Sequence, residues 1–172
     1  MTAARQSVTM KPDWSIFTKQ ISINATTWAL YNAWTVPAEM EKWFLSAADF
    51  TGGDGLPRKA AERVRPGDTF CWKWHGFAGG SPLRGRVIEA NTYDNFRFTF
   101  AEGSIVDVAI IPAHGVKLVR IQQRNIPPDE SLRLYLECAE GWTFYLTNLK
   151  SFIEGGIDLR NKDERVGGVI NS

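Results

Sequence analysis

The 172-residue sequence has only two cysteines and two histidines, almost no charge excess, and no long apolar run. Cys71 and Cys138 sit on expected core elements without C-x-x-C spacing, which argues against a disulfide framework and favours a reducing, cytoplasmic setting. Twenty basic residues against 19 acidic ones, a net charge of +1, argue against a chain-wide field for nucleic acid or anionic membrane. No segment reaches the roughly eighteen apolar residues of a membrane span. The opening MTAARQSVTMKPDW lacks a long apolar run followed by a small-residue cleavage pattern, so secretion is not expected. No internal repeat or low-complexity tract interrupts the chain. With 44% hydrophobic residues the sequence can fill one full core, and a single domain is expected.

What the sequence does have is a long amphipathic segment near its C-terminus. Between Ser131 and Glu154, the residues Leu134, Cys138, Trp142, Leu146, Leu149 and Phe152 or Ile153 recur at steps of three and four. They form one stripe of a helix roughly 36 Å long, and Gly155-Gly156 end it. A helix of that length needs a sheet to cover its stripe. Between Gly67 and Asn125 the chain supplies short alternating segments separated by turns, the pattern of an antiparallel meander. Phe70, Trp72 and Trp74 share one face, and Phe96, Phe98 and Phe100 repeat the arrangement. Segments 104–111 and 116–123 are rich in β-branched residues. Turns are expected at Gly79-Gly80, 91–95, Glu102-Gly103 and 112–115.

Before these strands, Phe17, Ile21 and Ile23 alternate with Thr18, Gln20 and Ser22, which predicts a half-buried strand. Residues 24–27 are helix-capping types, and Trp28, Tyr31 and Trp34 recur every three residues behind them. Pro37 starts a second short helix, with Glu39 near its positive end and Met40, Trp43 and Phe44 on its apolar side. The order strand, two short helices, about six strands and one long helix is an α+β arrangement, with the last helix packed across a curved, mostly antiparallel sheet.

Three stretches carry a family resemblance: ISINATTWALYNAWTVPAEMEKWF, GDTFCWKW and, most specifically, GWTFYLTNLKSFIEGGIDLR. Over residues 14–160 the chain resembles the domain of the activator of the 90-kDa heat-shock-protein ATPase in its single-domain bacterial form. That family belongs to the helix-grip superfamily, with the START-like lipid carriers and polyketide cyclases. The resemblance implies a seven-stranded sheet gripping the C-terminal helix, often with an apolar cavity between them. The expected division is an N-terminal extension over 1–13, the helix-grip domain over 14–156, and a polar tail over 157–172, disordered or docked on a neighbouring chain.

Catalytic groups are sparse. His114 lies in a turn, and His75 lies opposite Trp72 and Trp74 or at a frayed strand end, neither with an evident partner. Cys71 and His75 share a strand face without a third ligand, so no metal and no cofactor are expected. The loop TGGDGLPRKAAERVRPG lacks the Gly-Lys-Ser/Thr of a phosphate loop and reads as a solvated connection near a cavity mouth, or as a lid. No G-x-S-x-G occurs. The leading expectation is therefore a non-enzymatic binding protein for an apolar or aromatic small molecule. Its lining is expected from Trp72, Trp74, Phe98, Leu118, Cys138, Trp142 and Leu146. A protein-interaction module, with a chaperone or a second copy as partner, is the alternative. A cyclase-like enzyme is the third reading, with Arg120, Gln122, Tyr135 and Glu137 as its polar groups.

Overall fold

A computed structural model describes residues 12–76 and 80–171. Strand β1 (Phe17–Ile23) is followed by helices α1 (Thr27–Thr35) and α2 (Pro37–Trp43). Six further strands come next: β2 (Ala47–Thr51), β3 (Thr69–Lys73), β4 (Leu83–Ala90), β5 (Asn95–Thr99), β6 (Ile105–Ala113) and β7 (Val116–Arg124). Helix α3 (Ser131–Gly155) ends the described elements. All seven strands form one antiparallel sheet in the order β1-β7-β6-β5-β4-β3-β2.

Local chemistry sets the element ends. The Thr26 hydroxyl accepts a hydrogen bond from the Ala29 N–H and caps α1, and Pro37 occupies the first turn of α2. Gly156 takes the left-handed conformation after α3, where a side chain would be strained, and its N–H bonds back to the Phe152 carbonyl. His114 and Gly115 both have positive φ, the two-residue turn that suits the twist of the β6–β7 hairpin. The Asn91 side chain accepts from the N–H groups of Tyr93, Asp94 and Asn95 and organises the β4–β5 turn. Of the expected Gly79-Gly80 turn, Gly79 lies outside the described residues, as does most of the 1–13 extension.

The inner face of the sheet and the apolar stripe of α3 enclose one core. Trp34, Trp43, Trp72, Phe44, Phe96 and Phe98 are fully buried in it. Leu134, Trp142, Leu146 and Leu149 of the predicted stripe are buried too, with Cys138 and Phe152 partly so.

Several expectations are corrected. Strand β2 had no clear signal, because five residues with only Ala48 and Phe50 buried give too short an alternation. Trp28 is 68% exposed. Each step of three turns a helix back by about 60°, so a residue two such steps from Trp34 has rotated out of the core. The loop 51–67 is tied down: Arg58 pairs with buried Asp68 through two 2.8 Å bonds, and the Val64 N–H bonds to Thr35 O while its side chain is buried. The segment 157–171, expected as a free or partner-docked tail, returns to the domain. Arg160, 6% exposed, donates to the carbonyls of Leu45 and Glu41 and pairs with Asp158. The Asn148 amide joins that segment to α2, donating to Trp43 O and accepting from Leu159 N–H.

Candidate ligand-binding cleft

Along the N-terminal half of α3 the described residues leave the grip incomplete. A cleft of about 970 Å³ opens there between the helix and the β3–β4 end of the sheet. Strand alternation brings Trp72 to the inner face, and Trp74 follows it just beyond the strand end. Phe100 and Leu83 continue that wall, while Leu134, Cys138, Gly141, Trp142 and Tyr145 supply the helical one. Phe44, after α2, closes the inner end, with its ring 5.5 Å from Trp142 and 4.9 Å from Tyr145. The returning C-terminal segment forms part of the rim through Glu164, Gly168, Val169 and Ile170.

Some of the polar groups around the cleft are held in place. The Trp142 indole N–H donates to Gln123 Oε1 at 2.9 Å, and the Gln123 amide donates to Ser104 Oγ at 2.9 Å. Gln123 is fully buried, so this chain fixes the tryptophan orientation. The Trp72 indole N–H has no acceptor among the described residues. Burial pushes the Cys138 thiol and the Tyr145 phenol up, which keeps both neutral and makes neither a ready nucleophile or base. The His75 imidazole lies 3.6 Å from Glu164; burial, then Arg160 and Lys162, hold it below its ordinary range. Among the described residues no three His, Cys, Asp or Glu side chains gather closely enough to hold a metal ion.

The cleft brings together four of the seven expected lining residues: Trp72, Trp74, Cys138 and Trp142. Phe98 stands behind them, 5.1 Å from Trp72 and 6.5 Å from Trp142. Leu146 is buried in the closed part of the core and does not border the cleft. Leu118 is a correction. On β7 the buried residues are Val119, Ile121 and Gln123, so the period of two sends Leu118 to the outer face. Arg120 and Gln122 follow the same parity and border a polar depression there, beside Arg97 and Arg124, which both pair with Asp107. Tyr135 packs against Trp14 and Phe17, and Glu137 stands at the cleft rim. The four polar groups of the cyclase reading therefore do not converge. The loop 51–67 contributes no described residue to the lining, so the mouth and lid reading of it is corrected as well.

Gly141 is one of the lining residues that the apolar pattern passed over. In mid-helix glycine costs about 1 kcal/mol against alanine. Tight packing does not require it, since an added Cβ would meet nothing within 4 Å. Its missing side chain leaves space in the cleft.

A long C-terminal helix gripped by a seven-stranded antiparallel sheet, with an aromatic cleft between them, defines the helix-grip, START-like class. The family profile described as "Activator of Hsp90 ATPase homolog 1-like protein" matches residues 24–154, and the chain belongs to that family. No curated protein sequence matches it. Among solved structures, the protein SSP2350 from Staphylococcus saprophyticus superposes with a TM-score of 0.67 at 14% identity, covering 90% of this chain and 98% of that one. The Aha1 dimer from Colwellia psychrerythraea gives 0.64 at 19% identity, covering 82% and 97%. DynU16, a protein in the dynemicin biosynthetic locus, gives 0.62 at 18% identity, covering 88% of this chain and 51% of that one. Identities this low establish shared fold. No helix among the described residues is long and apolar enough to cross a membrane.

Proposed function

We propose that this protein binds an apolar or aromatic small molecule in the cleft between α3 and the β3–β4 end of the sheet, and does so without catalysis. The observation that carries the reading is the cleft beside Gly141, walled by Trp72, Trp74, Phe100 and Trp142. Concave apolar sites with few polar groups are the usual form of a small-molecule site. Two of the polar groups that border it support binding over turnover: Cys138 and Tyr145 stay neutral. The test is a fluorescence titration with 9-anthracenemethanol, a neutral three-ring probe. The wild type is expected to saturate, and Gly141→Leu, with its side chain in the cleft, to lose binding while keeping its circular dichroism. Equal binding by both proteins would move the site elsewhere.

A second reading, an interaction module for a chaperone or a second copy, has one specific observation in its favour. Trp28 stands exposed with the Arg63 guanidinium 5.9 Å above its ring, and Arg and Trp are enriched at the centres of protein interfaces. Light scattering of the wild type and Trp28→Ala checks it: a dimer lost in the variant supports this surface, and a monomer in both removes self-association.

A further inference from the structure

Resting on that binding reading, we propose that the cleft selects an aromatic ligand carrying a positive charge. Its rings would lie against Trp72, Trp74 and Phe100, and an ammonium or amidinium group would stand at the rim beside Glu140 and Glu164. The charged residues bordering the cleft are Lys73, Glu137, Glu140 and Glu164. Lys73 alternates with Trp72 along β3, so its side chain leaves by the opposite face. Glu137 is occupied by the Arg133 guanidinium at 3.0 Å. Glu140 has no hydrogen-bond or ion-pair partner among the described residues. Glu164 accepts from the Gly76 N–H and faces His75, whose environment favours the neutral imidazole, so the ring does not cancel the carboxylate charge. Arg160 and Lys162 share the single Asp158 carboxylate, and their remaining positive charge is felt at His75 beside Glu164, so Glu140 is the less compensated of the two rim carboxylates.

The rim thus presents the unpaired Glu140 carboxylate and the partly compensated Glu164 carboxylate beside a wall of aromatic rings, and carboxylates and rings both attract a cation. An anion would meet repulsion from the same carboxylates.

The experiment compares three probes that share one ring system: 9-(aminomethyl)anthracene as the ammonium, 9-anthracenemethanol as the neutral form and 9-anthracenecarboxylate as the anion. Titrated near neutral pH, the ammonium should bind about fivefold tighter than the alcohol, as one exposed ion pair plus a cation–π contact allows, and the carboxylate should bind weakest. The ammonium-to-alcohol ratio should fall toward one in Glu140→Gln/Glu164→Gln, and fall with added salt in the wild type. A carboxylate that binds as tightly as the ammonium, or a ratio unchanged in the double variant, overturns the charge selection alone. Failure of all three probes to bind the wild type overturns the binding reading with it.

Discussion

The two halves of α3 meet the same sheet and end up in opposite conditions. Toward its C-terminus, α1 and α2 fill the grip: Trp34 and Trp43 pack edge to face at 4.7 Å, Leu149 is fully buried, and Asn148 and Arg160 tie the following segment to α2. Toward its N-terminus the cleft opens, and its walls are aromatic rings beside a glycine. The closed half carries the buried polar lock, and the open half carries the volume. Stability and binding are therefore placed at opposite ends of one helix, which makes them separable by mutation.

The largest expected effect breaks the closed half. Arg160→Ala strands two backbone carbonyls and leaves the half-buried Asp158 with Lys162 and Asn148 alone, and should cost about 3 kcal/mol in urea denaturation. At the boundary between the halves, Gln123→Leu leaves the Trp142 N–H unpaired, while the Ser104 hydroxyl loses one donor and keeps its bond to the Ala101 carbonyl. A loss of about 2 kcal/mol is expected, with the Trp142 orientation loosened in near-ultraviolet circular dichroism. Acid sharpens the contrast further. Burial raises the Asp158 pKa, but the hydrogen bonds from Arg160 and Lys162 outweigh it and hold the carboxyl below the usual carboxylate range. A depressed folded pKa stabilises above the unfolded value of about 4, and that contribution is lost as pH falls through the folded pKa. The urea midpoint should therefore decline below about pH 4, less steeply in Asp158→Asn. The smallest effect lies in the open half: Gly141→Ala should stabilise by about 0.5–1 kcal/mol, because the helix gains propensity and the added methyl meets open space.

The same contrast explains what could be read from the residues. The α3 stripe was legible because it repeats over many turns, and β1, β3, β5, β6 and β7 because each alternates. Strand β2 and the fate of Trp28 were not, since one is too short to show a period and the other depends on how far three-residue steps drift around the helix. Trp72, Trp74, Cys138 and Trp142 were found from the two apolar faces that oppose each other, whereas Leu118 was lost to a one-residue error of parity on β7. The return of residues 157–171 left no local trace. It depends on one guanidinium reaching carbonyls more than a hundred residues away, and nothing near Arg160 in the chain announces them. Gly141 did leave a signal, a helix-breaking residue in the middle of a strong helical pattern, and its meaning needed the space around it.

The most direct measurement of the central claim uses the tryptophan indoles as position markers. In ¹⁵N-indole NMR with 9-(aminomethyl)anthracene added, the Trp72 and Trp74 resonances should move most, while those of Trp43 in the closed half and Trp28 on the surface stay in place. Movement of Trp43 or Trp28 with Trp72 and Trp74 unchanged would contradict it.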